Sequence, residues 1–318
     1  MGARFLLSLG LVAALAQGMK DVNTTLLSAW PMVHAHDAAT TYLESGVVND
    51  WAKTQQDGGV SSMLDCGARS FDWRPSYDGD TLTMHHGDIS IDYAMSDALQ
   101  EMISWAGARA AVEDIIVLVV SHLDGDGCDA AVRTLLKNVN ILYVESCDEL
   151  ATMTVAAAAE AAALPTGGSV LAVSGECVAS NWNSSITCSG IRTDDASLNA
   201  SVASNASVDW WPSQYTCFAD SSSKDYPLAR FWDYYEAVLD GGPGDFGTLQ
   251  ALWQEDADSV VVSGLHGATL LSEESRSGLN ALVAARILET PGAPYGLVEV
   301  NNVCDSGPAL LAALRSLS

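Results

Sequence analysis

Two short segments hold four of the chain's six histidines: VHAHDAATTYL, with His36 and Asp37, and TMHHG, with His85 and His86. Between them runs LDCGARSFDWRP, Leu64 to Pro75, which brings Asp72 and Arg74. These residue types suit the cleavage of a phosphate diester. That reaction needs a base for the attacking oxygen, an acid for the leaving oxygen and positive charge on the phosphoryl group. Two imidazoles can divide the acid and base roles because their unperturbed pKa is about 6.5. A guanidinium holds two phosphate oxygens at once. Metal catalysis is the competing chemistry, with His36, Asp72 and His86 as its ligands. Arg74 argues against it, since it puts a fixed cation where a second carboxylate would be needed.

The surrounding pattern says how these groups are carried. Ala29 to His36 reads as a first strand with Asp37 to Leu43 as a polar loop, Met63 to Trp73 as a second strand and Thr81 to His85 as a third. Apolar residues at helical spacing follow over Tyr93 to Val112. The run IIVLVVS after Asp114 is a strand buried on both faces. Helix Asp129 to Asn138, strand Ile141 to Val144, helix Ala151 to Leu164 and strand Gly168 to Val173 continue the alternation. Residues 174–224 are rich in Ser, Asn and Cys without any period and read as an inserted loop region. Helix Pro227 to Leu239, strand Ser259 to Leu265, helix Glu273 to Leu288, strand Tyr295 to Val300 and helix Ala309 to Leu317 complete the chain. About eight strands alternating with helices predict an α/β fold of the (β/α)8 TIM-barrel type, regular or irregular, with a long disulfide-containing insertion. In such a barrel the reactive groups stand at the carboxyl ends of strands. His36 and Asp37 would end the first strand, Asp72 and Arg74 the second, His85 and His86 the third, and Asn301 the last.

With 318 residues, 48% apolar and 17% charged, the chain can bury a large core, and no linker or repeat divides it. Phe5 to Ala16 is a short apolar run closed by Ala-Leu-Ala. It reads as a signal peptide over residues 1–16, with a retained N-terminal anchor as the alternative, and leaves one domain over 17–318. Sequons at Asn23, Asn183, Asn199 and Asn205 agree with a secreted, glycosylated protein. In that compartment the seven cysteines predict disulfides. The preferred pair is Cys128 with Cys147, and Cys66 is the candidate free thiol. Forty acidic against 14 basic residues give a net charge of −26, one more negative once Arg4 is removed. Such a field repels nucleic acid and anionic membrane surfaces.

HAHDAATTY resembles the opening of the phosphatidylinositol-specific phospholipase C X-domain family, and GARSFDWRP with TLTMHHG resembles that family's GxRxFDxR segment and its HHG. The nearest branch is the metal-independent bacterial type, because Arg74 stands where the calcium-dependent animal enzymes carry a carboxylate. The resemblance spans Pro31 to Ser121, returns weakly in SRSGLNALVAARI and GLVEVNNV, and is almost absent between Ser174 and Ala257. It implies a catalytic set of His36, Asp37, Asp72, Arg74, His86 and Asn301. His36 would be the base that activates the inositol 2-hydroxyl, and His86 the acid for the departing diacylglycerol oxygen. Arg74 would stabilise the phosphate, Asp37 would orient His86, and Asp72 would sit beside Arg74. The product would be a cyclic inositol phosphate, made without metal or other cofactor. His85, His122 and Tyr215 are the candidates for substrate binding, and the substrate would be a phospholipid or another phosphodiester met with at most peripheral membrane contact. The family's late aspartate, which supports the basic histidine, falls on Asn301 here, so a neighbour such as Glu299 or Asp305 would have to supply its charge, or the reaction would be slower. Two other functions compete. One is a metal-dependent glycerophosphodiesterase or phospholipase D-like barrel, which would want a Glu-x-Asp pair where this chain has Asp72-x-Arg74. The other is a catalytically weak extracellular binding protein.

Overall fold

Continuous β-branched and apolar runs such as IVLVV cannot leave either face in water, and they pair into one parallel sheet. The computed structural model describes residues 20–46, 48–109, 111–178, 247–253, 268–291 and 293–317, with a few positions between 231 and 239. The elements run β1 Met32–Ala35, α1 Asn49–Ala52, α2 Gly59–Asp65, β2 Ser70–Trp73, β3 Pro75–Tyr77, β4 Leu82–His86, β5 Ile89–Ile91, α3 Met95–Gly107, β6 Ile116–Val120 and α4 Cys128–Asn138. There follow β7 Leu142–Val144, α5 Cys147–Thr152, α6 Val155–Ala161, β8 Val170–Ser174, β9 Thr248–Gln250, α7 Leu270–Ser277, α8 Leu279–Glu289, β10 Leu297–Val300 and α9 Gly307–Arg315.

Seven parallel strands pair in the order β7-β8-β6-β2-β1-β10-β9. The expected β/α barrel architecture is thus present in irregular form, and among the described residues no pairing joins β7 to β9. Alternate residues face opposite sides of a strand, and here the two sides pack into separate apolar layers. Val33, Phe71, Leu118 and Val298 belong to one, with Val60 and Met63 of α2, Leu99 and Met102 of α3 and Val283 of α8. Met32, Val117, Leu171 and Leu297 belong to the other, with Val155 and Ala158 of α6. That second face changes from apolar to polar along its strands. His34 of β1 contacts Ser70 Oγ on β2 at 2.7 Å and Glu299 on β10 at 3.7 Å. Two residues further on, the same parity carries His36, Asp72, Arg74 and Asn301 at the carboxyl edge.

Three expectations need correction. Met63 to Trp73 is not one strand: Gly59–Asp65 is helical, and only Ser70–Trp73 pairs in the sheet. Its leading apolar residues belong to the buried face of α2, where Val60, Met63 and Leu64 follow helical spacing. The HHG segment does not end a barrel strand. It lies on β4 of a separate antiparallel sheet, β3-β4-β5, where His86 is registered with Ile89. The cysteine pairing also differs. Cys66 pairs with Cys304 and Cys147 with Cys177, and among the described residues Cys128 is a buried free thiol, while Cys188 and Cys217 lie outside them. Cys128 opens α4 and turns its Sγ toward the Pro75 carbonyl, away from Cys147 at the start of α5. The expected strand Ser259 to Leu265, most of helix Pro227 to Leu239, Tyr215, residues 1–16 and three of the four sequons lie outside the described residues. Among the described residues, no helix is long and apolar enough to cross a membrane.

Cys66–Cys304 ties the end of α2 to the loop after β10 across 238 residues of sequence. The approach is close enough that a Cβ on Gly307 would collide with the Cys66 carbonyl oxygen. Closing so long a loop restricts the unfolded chain. Replacing Cys66 and Cys304 together by serine should lower the unfolding free energy by about 2–5 kcal/mol, read from urea denaturation. An unchanged midpoint would mean that this bridge contributes nothing to stability.

Candidate active site

β1 ends at Ala35, and the chain then turns through His36 and Asp37, whose backbone sits in the left-handed region at φ 42°, ψ 49°. A non-glycine residue pays a steric cost there, and such strain collects where a side chain must be aimed. Asp37 is almost wholly buried, and its carboxylate is the meeting point of three cationic or ionisable groups. Oδ1 lies 2.8 Å from Arg74 Nη1; Oδ2 lies 3.2 Å from His36 Nε2 and 3.1 Å from His86 Nε2. These are ion-pair approaches without the alignment of regular hydrogen bonds.

Arg74 immediately follows β2 and is held from behind by Asp72. Its Nε donates to Asp72 Oδ2 at 3.0 Å, and Nη2 is 2.8 Å from the same oxygen. Asp72 also accepts from Ser121 Oγ at 2.9 Å, at the end of β6. Burial penalises the Asp72 anion, but the Arg74 charge outweighs this and holds the carboxyl far below its usual range. The reciprocal effect fixes the guanidinium in its charged form. A guanidinium has five N–H donors, more than these carboxylate contacts occupy.

The two histidines have different surroundings. His36 faces Asn301 Oδ1 with its Nδ1 at 2.9 Å, and Arg74 Nη2 stands 3.5 Å from its Nε2. Burial opposes its protonation, but Asp37 and then Glu299 raise its pKa above the ordinary value. His86 directs Nδ1 to the Ala52 carbonyl at 2.9 Å. There burial dominates over the attraction of Asp37, and the pKa is lowered. His36, Asp37, Arg74, His86 and Asn301 all line one cavity of about 470 Å³. Trp51, Ile89, Leu252, Trp253 and Leu270 supply its apolar walls.

Five of the residues expected from sequence therefore share this cavity, and Asp72 stands directly behind Arg74. His85 does not join them. It braces the loop, with Nδ1 at 2.9 Å from the Gly87 carbonyl and Nε2 at 2.7 Å from the His122 carbonyl. His122, at φ 47°, lines a smaller cavity of about 220 Å³ with His34, Asp72, Arg74 and Glu299. Glu299 supplies part of the expected charge, since after Asp37 it raises the His36 pKa, but neither Glu299 nor Asp305 bonds the side chain of Asn301. Its Nδ2 donates instead to Glu274 Oε1 at 2.7 Å and to the Trp253 carbonyl at 3.2 Å. Glu274, on α7, is hidden from sequence reading because nothing in its helical context marks it. Thr54 and Gln55 carry no such mark either. Thr54 Oγ1 donates to the His36 carbonyl at 2.9 Å, and Gln55 Nε2 to the His36 and Val300 carbonyls at 3.0 Å each, which clamps the ends of β1 and β10.

Fold and site together define a β/α-barrel-type protein with a histidine-arginine-carboxylate cluster at the carboxyl edge of its sheet. The phosphatidylinositol-specific phospholipase C of S. aureus is similar over 96% of this chain and 99% of its own, at 15% identity and a TM-score of 0.57. A doubly substituted form of that S. aureus enzyme matches over 94% of each chain, also at 15% identity and a TM-score of 0.57. The phosphatidylinositol-specific phospholipase C of Listeria monocytogenes matches over 93% of this chain and 95% of its own, at 13% identity and a TM-score of 0.54. At such identity the likeness is one of fold. No family model and no curated protein sequence matches the chain.

Because the Asp72 pKa is depressed on folding, its stabilising effect is complete above the unfolded value, about 3.9, and is lost as pH falls toward the folded one. Asp72→Ala leaves Arg74 buried with one carboxylate fewer and should cost about 3–5 kcal/mol at neutral pH. The gap between variant and wild type should narrow below about pH 4, as measured by denaturant titration across pH. A gap that stays constant on further acidification would refute the ion-pair account.

Proposed function

We propose that this protein is a secreted phosphodiesterase of the phospholipase C type that cleaves a phosphoinositol diester without metal. The observation that carries this reading is the convergence of His36, His86 and Arg74 on the single Asp37 carboxylate at the wall of one cavity. The likeness of fold to the bacterial phospholipases supports it.

His36 Nε2 would take the proton of the inositol 2-hydroxyl, whose oxygen then attacks phosphorus. His86 Nε2 would deliver a proton to the leaving oxygen of the glycerol side. The products are a cyclic inositol phosphate and an alcohol, with no net uptake of protons. Arg74 would bind the non-bridging phosphate oxygens as charge builds on them. Asp72 keeps the guanidinium in place, and Asp37 compensates whichever imidazole carries the proton. With the two aspartates and Arg74 charged, one proton on the histidine pair makes the cluster neutral before the phosphate arrives. A metal ion is a poorer occupant. One ligand atom each from His36, Asp37 and Asp72 lies within 4.8 Å of the others, but Arg74 rests against both carboxylates, and its charge would repel a cation.

The substrate's apolar part would lie along Trp51, Ile89, Leu252 and Leu270. The chain's net charge of −26 disfavours an anionic bilayer, so a soluble phosphoinositol diester or a neutral surface suits it better. His122 remains our candidate for headgroup contact from the adjoining cavity.

His36→Ala and His86→Ala should each lower kcat on a water-soluble phosphoinositol diester by at least about 10²-fold, and EDTA should leave the wild-type rate unchanged. Turnover that survives either substitution would remove the acid–base assignment; loss with EDTA and recovery with calcium would favour a metal enzyme. Because the reactive form holds one proton on the pair, kcat/KM should be bell-shaped in pH. Its limbs should fall on either side of about 6.5, His86 losing its proton on the acid side and His36 on the alkaline side. The shared proton then rests mainly on His36, so the productive form, with His36 neutral and His86 protonated, is the minority arrangement of the one-proton state. A profile with one limb would contradict the pairing.

A further inference from the structure

A base that gains a proton during reaction needs negative charge behind it, and Asn301, which faces His36 Nδ1, has none. Asparagine also has two faces that fit almost equally well into one space. With Oδ1 toward His36, Nδ1 carries the hydrogen and Nε2 presents its lone pair toward Arg74 Nη2 at 3.5 Å, against the pull of Asp37 Oδ2 at 3.2 Å for a hydrogen on that nitrogen. With the amide reversed, Nδ1 would accept and Nε2 would carry the hydrogen, which blocks it as a base.

The groups behind Asn301 decide between the two. Asn301 Nδ2 donates at 2.7 Å to Glu274 Oε1, which also accepts from the Trp253 backbone N–H at 2.9 Å. Trp253's carbonyl accepts from Asn301 Nδ2 at 3.2 Å. The Trp253 carbonyl can only accept, and Glu274 Oε1 is already an acceptor for the Trp253 N–H, so in either protonation state of Glu274 the amide turns Nδ2 toward them and presents Oδ1 to His36. Glu274 and Asn301 are both buried, so the charge is not screened by water. Asn280 Nδ2 holds the Asn301 carbonyl at 2.9 Å, and Asn302 Nδ2 reaches Ser275 Oγ at 2.8 Å, so the segment cannot drift from α7.

We infer that Glu274 is the positioning residue for the basic histidine: through the Asn301 amide it selects the His36 tautomer with a free Nε2 and adds, on the Nδ1 side, to the negative charge that Asp37 and Glu299 already bring to the imidazolium. The catalytic meaning of this arrangement rests on the function proposed above; the electrostatic link itself does not. The charged groups around Glu274 are His36, reached through Asn301, Asp305 on the loop into α9, and the Glu273–Arg276 pair on the same helix. Burial pushes the Glu274 carboxyl up to about 7, opposed by the Trp253 and Asn301 donors and by His36. Protonation of His36 therefore favours ionisation of Glu274, and the charge strengthens when the base is loaded.

The test is Glu274→Gln, whose side-chain oxygen can keep both donors while losing the charge. Its readouts are the His36 titration, followed by NMR with carbon-13-labelled histidine, and the rate on a soluble phosphoinositol diester. The proton affinity of His36 should fall about tenfold, and kcat should fall by a similar factor or more with KM nearly unchanged. The double variant Glu274→Gln with Asn301→Asp puts a carboxylate directly against Nδ1 and should restore both. An unchanged His36 titration in Glu274→Gln, or no restoration in the double variant, overturns the inference. If Glu274→Gln does not fold, the wild type decides: with carbon-13-labelled glutamate and histidine, Glu274 and His36 should titrate as a coupled pair, and independent titrations overturn the link. A wild type that cleaves no phosphoinositol diester, yet whose His36 responds to Glu274 in this way, removes the proposed function and keeps the positioning role.

Discussion

The Asp72–Arg74–Asp37 bridge is the interaction on which the rest of the site depends. Two carboxylates and one guanidinium, all buried or nearly so, would be costly one by one, and each is tolerable only because the others are present. Asp72 anchors Arg74 to the end of β2, and Arg74 in turn neutralises Asp37, which sits in a strained turn at the end of β1. With Asp37 fixed, His36 and His86 acquire a common counter-charge at one oxygen, Oδ2. Two histidines brought by different sheets thereby become one titrating unit.

Strand parity explains why so much of this is legible in the sequence. A barrel strand with a polar residue on its inward face keeps that face two residues later, so His34 leads to His36, Asp72 to Arg74 and Glu299 to Asn301. Clusters of reactive residue types just past apolar runs are what such parity leaves in a sequence, and His36, Asp72, Arg74 and Asn301 stand out for that reason. Other features have no such mark. Leu64 and Met63 share their composition with strand residues, and only the spacing of Val60, Met63 and Leu64 reveals a helix. Glu274 looks like any acidic residue in the middle of an amphipathic helix, and its value comes from burial against Asn301. The disulfides depend on which loops meet in space, and Cys66 finds Cys304 only after β10 has inserted beside β1.

The carboxyl edge is also held by groups with no part in chemistry. Thr54 and Gln55 bond the carbonyls of His36 and Val300, and Gln55 Oε1 accepts from the Val303 backbone N–H at 3.0 Å. They join the ends of β1 and β10 with side chains where strand pairing has stopped, and the Cys66–Cys304 bridge fastens the loop after β10 to the end of α2. A rim held in this way keeps His36 Nδ1 against Asn301 Oδ1, since a small rotation of either strand end would separate them.

The parallel pairing of β1 with β10 has a consequence for when the site can exist. His36 and Asn301 are 265 positions apart, yet they share one hydrogen bond. During synthesis, both histidines, both aspartates and the arginine are made by the time His86 emerges, but β1 still lacks its neighbour on one side. Cys304, the Asn301 amide and the helix that carries Glu274 all lie between residues 270 and 304. A form of the chain that stops before α7 therefore has its histidines and arginine but lacks the amide, the carboxylate and the cysteine that meet them in the folded structure.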